Sequence, residues 1–593
     1  MKVQYKTEPE RLQFFRELYE GARLAMRESD ELFEKYMNQY RGSAQIDGST
    51  EDALTVRNIT YEIVESQISS AIPSPKVDPE YWNEKKARCA ARVERLCRAM
   101  RDRLPFEELN DIDERYTYIY GGSVYYVEWD NEKIEGGASG GIRVHCISPR
   151  DFIPEPAIYS VADMDYCFIK FTTTKGELMR KYSLGDEELE RLEVEYEFGT
   201  ADGISDTVEV IVCYYRDERA EIGQFVFSGG LTLLDIPEYY RRKEKICKVC
   251  GENENSCVCG SKDYEMQTKL YESISRTYLD RRGVRLMPPI TDSGIAIKDE
   301  EIIPYYSPKS FPIVIRKNTS REKSLFGQSD CEFIRPEQQA INKIESRILQ
   351  KLLRAGITPI MPEDASVSLN NSVFGQVIKM KPGESAAQYG KVDTTPNIAQ
   401  DIAEAERLYD HVKRTLGISD AFQGIDMNSN ESGIAKQLRI SQATGRLESK
   451  KKMKHTAYAE LDRIIFEHYL AFADEPRSLS YKDAFGRIHN DEFNRFDFIE
   501  YDLRSGEYYY DDAYLFGVDL NGGAEYQREA IWERNLENLK AGTLGDPASS
   551  TTLLRYWQAQ EREHYPHARE NVEYFRELVE SEVSVYGQDV GQL

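Results

Sequence analysis

Apolar residues recur at helical spacing over residues 1–35 of the chain. Charged residues separate them, so the pattern predicts an amphipathic helix with one broad buried face. An isoleucine-rich run over residues 58–75 ends in prolines, and a further helical pattern covers residues 80–104. The residues expected on the buried face of the first helix are Leu12, Phe15, Leu18, Tyr19, Ala22 and Leu24.

The hydrophobic period then changes from that of a helix to that of a strand. Residues 123–130 and 142–149 alternate in this way and are separated by a glycine-rich segment, which predicts a hairpin. The segment 1–330 is therefore expected to be a mixed α+β region. The other strand-like runs are residues 208–215, 223–234 and 313–316, with a short one around Ile302.

Long helices dominate the pattern after residue 331. Residues 337–354 contain no glycine or proline, and residues 396–417 carry a second apolar stripe. A helix of about 40 residues is expected over residues 434–473, and residues 524–583 are helical with a break at 542–547. The predicted fold class is thus α+β, mainly α. The stripes are Ile341, Ile344, Ile348 and Leu352, then Ile398, Ile402, Ala405, Leu408, Val412 and Leu416. Shorter alternating segments occupy residues 356–395 and 494–520.

Two groups of basic residues lie on these helices. One is a stripe, Lys343, Arg347, Lys351 and Arg354, and the other is the run from Lys450 to Lys454. Each is most simply a solvated helix face.

The charge of the chain limits its partners. Lys and Arg total 77 against 103 Asp and Glu, which gives a formal net charge of -26. Such acidity argues against a general binder of double-stranded DNA, because that function needs a basic surface. It does not exclude a protein that handles DNA by repelling it. No membrane segment or export signal is recognisable in the sequence.

Four of the ten cysteines lie close together: Cys247, Cys250, Cys257 and Cys259. Four thiolates are a common ligand set for structural zinc. The spacing predicts one structural zinc ion per chain, in a small knuckle at about residues 243–263, and a reducing compartment. Because four thiolates leave no open coordination position, we expect no chemistry there. Four free thiols or a redox pair are the alternatives.

Two segments match part of an enzyme or ion-site motif, but the residues around them do not fit the rest of that motif. Residues 137–141 match the nucleophile elbow of serine hydrolases, but a strand follows where a helix is required, so a hairpin loop is the better interpretation. Residues 426–430 begin like a calcium loop, but Glu431 replaces the required glycine and Gln437 the required glutamate. The sequence contains no Gly-x-x-x-x-Gly-Lys-Ser/Thr loop. We therefore expect no catalytic residues and no enzyme activity.

The order of several segments resembles the portal proteins of tailed bacteriophages. The resemblance covers roughly residues 55–540, and the order and spacing of the segments make it more specific than any one of them. The segments are Tyr120–Asp130, Ile147–Pro156, Gly327–Asp330 followed by Phe333–Asn342, Leu416–Asp420, and Glu431–Ala435.

This resemblance implies the phage portal fold and a set of partners. A portal is a homo-oligomeric ring, commonly of twelve subunits, at one vertex of the capsid in the virion. It is assembled in the host cytoplasm and needs no membrane. The terminase large subunit docks on it, capsid and scaffolding proteins surround it, and a head–tail adaptor attaches later. Double-stranded DNA passes through its channel without sequence specificity during packaging and ejection.

The resemblance also assigns regions by position. The zinc knuckle departs from the family's usual arrangement and is interpreted as an insertion. The regions are the wing at 1–330, stem helices at 331–355 and 396–419, the clip at 356–395, the tunnel loop at 420–433, a long wing helix at 434–473, and C-terminal wing and crown at 474–593. The tunnel-loop residues expected to face DNA are Ile425, Asp426, Met427, Asn428, Ser429, Asn430 and Glu431.

Within such a ring, the basic stripe of the first stem helix has two further interpretations. It guides DNA along the channel, or it meets acidic residues of the second stem helix such as Asp401, Glu404 and Asp410. We favour the second. Two other protein classes stay open: an oligomeric virion scaffold or head–tail adaptor without a DNA channel, and a zinc-containing nucleic-acid enzyme.

Overall fold

The computed structural model describes residues 7–43, 55–249, 264–273, 302–354, 360–362, 378–380, 397–418 and 433–589, apart from short gaps within these ranges. More of the described residues lie in helices than in strands, as the predicted fold class requires. None of the helices in the described ranges is long and apolar enough to cross a membrane. The helices are α1 (Glu8–Tyr40), α2 (Ile59–Gln67), α3 (Glu84–Arg103), α4 (Phe106–Tyr120), α5 (Lys175–Tyr182), α6 (Asp186–Leu189), α7 (Asp330–Arg354), α8 (Ala399–Leu416), α9 (Gly433–Phe472), α10 (Glu525–Lys540), α11 (Ser550–Arg562) and α12 (Ala568–Asp589).

The strands form several small sheets and one larger sheet. The larger sheet has the order β4-β5-β7-β8-β9, with β6 paired to β7, and a smaller one has the order β14-β2-β3. The strands are β1 (Ser74–Pro79), β2 (Gly122–Glu135), β3 (Ala138–Ile147), β4 (Phe152–Pro154), β5 (Tyr166–Thr174), β6 (Val194–Tyr196), β7 (Thr207–Arg216), β8 (Ile222–Ser228), β9 (Leu231–Ile236), β10 (Arg242–Cys247), β11 (Tyr264–Lys269), β12 (Tyr271–Ser273), β13 (Ile302–Pro304), β14 (Ile313–Lys317), β15 (Ile360–Pro362), β16 (Ile378–Met380), β17 (Arg477–Lys482), β18 (Ile488–Phe493), β19 (Ile499–Asp502), β20 (Glu507–Tyr510) and β21 (Tyr514–Asp519).

The larger sheet is covered on both faces. Alternate residues of β7 point to opposite sides, as the pleat requires. Ile211, Cys213 and Tyr215 pack with Phe15 and Tyr19 of α1. The residues between them join the main core of the chain. Helix α1 is therefore amphipathic as predicted, except that the expected core residue Leu24 is 71% exposed, which makes that assignment wrong.

The predicted hairpin is confirmed. Strands β2 and β3 pair antiparallel, with a turn at Gly136 and Gly137, both of which have positive φ. The glycine-rich segment that matched a nucleophile elbow thus belongs to the turn and the start of β3. Strand β14 completes this sheet by pairing with β2, so two segments that are distant in the sequence lie side by side.

Helix α9 runs for 40 residues, as predicted. Most residues of its C-terminal part, from Ala457 to Phe472, are buried among β14, β21, β2 and α3. This part is apolar on most sides, and such a helix belongs inside a core. The long helix thereby organises the main core.

Two local expectations were wrong or incomplete. Helix α2 ends at Gln67, before the prolines, and residues 74–79 form β1, which pairs with β21 in the C-terminal part of the chain. Helix α4 was not predicted. Helix α7 spans Asp330–Arg354, so the run of residues 337–354 without glycine or proline is helical, and Pro336 lies within the same helix.

Candidate functional site

Helices α7 and α8 lie against each other and against α2. Their apolar stripes meet at one end, where Ile341, Val412 and Leu416 pack with Ile59 and Ile63 of α2 in one cluster. Toward the other end of the two helices, α2 no longer covers the apolar stripes. Leu352 is 47% exposed and Ile402 is 46% exposed, although both continue the buried stripes. The paired helices therefore have a packed root and a partly uncovered far end.

The basic stripe of α7 lies on the outer surface of this pair. Lys351 contacts the carboxylate of Asp401, and Arg347 lies 3.7 Å from it. Lys343 is exposed, and the side chain of Arg354 lies outside the described residues. The other two acids named from the sequence pair within α8, Glu404 with Arg407 and Asp410 with Lys413.

The root of α7 is fixed by a buried carboxylate. Asp330, the first residue of the helix, accepts hydrogen bonds from Lys450 of α9 at 2.7 and 2.8 Å. It also accepts one from Gln67 and one from Asn318, each at 2.8 Å. Gln67 in turn accepts a bond from Lys450 at 3.0 Å, and the ammonium lies 4.9 Å from the ring centre of Tyr118. This Asp330–Lys450–Gln67 triangle joins three helices at one point.

A second buried cluster lies one turn further along α9. Lys454 lies 3.0 Å from Glu114, and Arg316 donates to Glu114 at 2.8 Å and also contacts Asp113. Burial opposes ionisation of Glu114, but Arg316 and Lys454 outweigh it and hold its pKa below the usual value. Burial lowers the pKa of Lys454, against the pull of Glu114. This cluster ties α9 to α4 and β14.

The prediction of a solvated basic run was wrong for Lys450 and Lys454. Both side chains are almost fully buried, at 11% and 5% exposed, whereas Lys452 is 70% exposed. The two buried lysines lie one helical turn apart, and Tyr458 and Leu461 of the core follow them at the same helical spacing. That helical spacing was the signal available in the sequence. Their acidic partners lie in distant segments of the chain and gave no such signal.

Two other candidate sites fall largely outside the described residues. Of the proposed zinc ligands, Cys247 is buried at the end of β10, opposite Tyr264 of β11. Cys250, Cys257 and Cys259 are not among the described residues, and neither are residues 425–431 of the expected tunnel loop.

Comparison with known families identifies the chain. The model of the family described as "Phage P22-like portal protein" matches residues 70–475. No curated protein matches the chain. The matched region is more than half of the chain and contains α7, α8 and α9, with Asp330 and Lys450 among its residues. The chain therefore belongs to the P22-like portal protein family.

Proposed function

We propose that this chain forms a ring at one capsid vertex, through which DNA is packaged and ejected. The membership of the family carries this proposal. Its structural support is the pair of helices α7 and α8, which packs on α2 at one end and in which α7 is joined to α9 by the buried contact of Asp330 with Lys450. We propose a structural subunit without enzyme activity, located in the virion and assembled in the host cytoplasm.

The regions follow the order of the helices. We propose α7 and α8 as the stem, the segment between them as the clip, and the α+β body before α7 as the wing. The short parallel pair of β15 and β16 supports a compact clip at the far end of the stem. Residues 420–433 would be the tunnel loop, α9 the long wing helix, and residues 474–593 the remaining wing and the crown.

A ring needs a heterologous contact that closes on itself. The exposed apolar side chains Leu352 and Ile402 are suited to such a contact, since a neighbouring stem would remove them from water. We propose that the stem of each subunit packs against the stem of the next subunit at these residues. The proposed ring has about twelve subunits, the number common among portals. A net charge of -26 suits a channel that conducts DNA without binding it tightly.

We further propose a structural zinc ion on the β10–β11 hairpin. The register pairs Cys247 with Tyr264, so the three other cysteines all lie within the connection between these two strands. Four thiolates would satisfy one zinc ion and fold the knuckle without adding a reactive site. The knuckle would be an insertion in the wing.

The proposed partners are those that the conduit requires. They are the terminase large subunit, capsid and scaffolding proteins, a head–tail adaptor, and double-stranded DNA without sequence specificity.

Deleting residues 425–431 tests the conduit directly. We expect the deleted protein to assemble into rings, and particles that contain it to package or retain less DNA. Normal packaging and retention by these particles would contradict the tunnel-loop proposal.

A further inference from the structure

Helix α3 has the largest excess of basic residues among the helices that the structure describes. Its 20 residues include eight Lys and Arg against three Asp and Glu. Arg88, Arg92 and Arg95 follow one another at helical spacing. Arg88 is exposed, and the side chains of Arg92 and Arg95 are 33% and 38% exposed. Such a row of guanidinium groups at a surface is suited to contacts with nucleic-acid phosphates.

Acidic residues from the C-terminal part of the chain lie along this helix. As the chain goes from residue 478 to residue 500, its contacts with α3 pass from the last residue of the helix to its first turn. Three of these contacts bring a carboxylate to a base of α3, so the helix is neutralised by a segment that is distant in the sequence. The contacts in this order are Arg103 with the carbonyl oxygen of Ser478 at 2.9 Å, Arg95 with Asp491, Arg92 with Asp497, and Lys85 with Glu500 at 2.7 Å.

The ion pairs are not the main anchor of this segment. Phe493, Phe496 and Phe498 are at most 1% exposed and belong to the main core, so burial of their rings holds the segment in place. The ion pairs of Arg92 and Arg95 are partly exposed, and such pairs contribute little to stability. The carboxylates therefore matter more for the charge of this surface than for the fold.

We propose that Asp491, Asp497 and Glu500 keep DNA from binding to α3. A phosphate that approaches Arg92 or Arg95 meets a guanidinium that is already neutralised, with a second negative charge beside it. This inference rests on the proposed function, in which DNA is the polyanion that the protein meets and must not hold. It accounts for how a strongly basic helix lies partly at the surface of a protein that conducts DNA.

Binding of a short DNA duplex by the purified full-length protein tests this proposal. Asp491→Asn with Asp497→Asn removes two carboxylates and keeps their shapes. At low salt we expect this variant to bind DNA about tenfold or more tightly than the wild type, because two arginines become available to phosphates. The slope of log K against log salt concentration should steepen by about two, close to one for each arginine. Affinity and slope equal to those of the wild type would overturn the proposal.

Two further variants separate this effect from net charge and from misfolding. Asp163→Asn with Glu187→Gln makes the same change of charge at exposed positions outside α3 and the segment along it, so it should not increase binding. Arg92→Gln with Arg95→Gln, added to the first variant, should abolish the gain. An equal gain in the charge control, or a gain that survives loss of the two arginines, would overturn the proposal.

This readout needs only the protein and DNA, so it is independent of whether the ring conducts DNA. A gain that depends on Arg92 and Arg95, in a protein that forms no ring, would support the role of the carboxylates and contradict the portal function. Rings without that gain would contradict the role of the carboxylates alone.

Discussion

The ammonium of Lys454 lies 3.0 Å from the Oε1 atom of Glu114, and both side chains are almost completely excluded from water. Arg316 and Asp113 complete the cluster, so two acids and two bases neutralise each other inside the body. Such a group is stable only as a set.

Removing one member should therefore cost more than removing a pair. Lys454→Met should lower the free energy of unfolding by about 3–5 kcal/mol, the range for breaking a buried ion pair. Lys454→Met combined with Glu114→Gln should recover part of that loss, because no unpaired charge remains. Denaturant unfolding of the single and double variants measures the difference. If the double variant lost as much stability as Lys454→Met and Glu114→Gln lose in sum when made singly, the pair would not be coupled.

Two adjacent residues of α9, Glu467 and His468, are expected to change the stability of the fold with pH in opposite directions. Burial raises the pKa of Glu467 to about 7, against the pull of Arg463 and a hydrogen bond from Ser310, with Glu460 and Asp512 raising it further. Burial lowers the pKa of His468 to about 4. Glu467 binds a proton more readily when folded, so it adds stability as pH falls from about 7 toward 4.5. His468 takes a proton only when unfolded between pH 6.5 and 4, so it removes stability there.

Glu467→Gln isolates the first effect. The variant should gain stability relative to the wild type at pH 8 and lose that advantage by pH 5, a change on the order of 2–3 kcal/mol. Thermal or denaturant unfolding at the two pH values checks this. Glu460→Gln, at a more exposed carboxylate, is the control and should show a small difference at both. A pH-independent difference for Glu467→Gln would refute the assigned pKa.

The sequence was informative where a local pattern decides the structure. The periods of α1 and of the β2–β3 hairpin identified those elements, because one buried face dictates where apolar residues fall. Contacts between distant segments were not predictable. Nothing near Asp330 indicates that Lys450 will neutralise it, and nothing near Val77 indicates that it will pair with Phe516. The site therefore had to be found from the fold, although the spacing of Lys450 and Lys454 did indicate a buried face.

The zinc proposal gives a direct chemical prediction. Metal analysis of freshly purified, reduced protein should find about one zinc ion per chain, held by four thiolates. Cys257→Ser with Cys259→Ser should abolish it, and Cys146→Ser, at a cysteine outside the cluster, should leave it unchanged. A wild-type protein without zinc would contradict the assignment.

Charge reversals in the basic stripe of α7 distinguish its two possible roles, pairing with α8 and guiding DNA. Lys351→Glu places a carboxylate beside Asp401, so it should lower the melting temperature of the ring, and Asp401→Lys in the same chain should restore it. Lys343→Glu on the same helix should have little effect on stability. If Lys343→Glu left assembly intact but impaired packaging, the stripe would be a guide for DNA, contrary to the pairing that we favour.

The most direct test of the account is electron microscopy of the purified full-length protein, together with mass measurement of the particles. We expect closed rings of about twelve subunits with a central channel, since a heterologous contact must close to build a conduit. Monomers, open filaments or closed particles without a channel would contradict the portal function and favour an adaptor or scaffold.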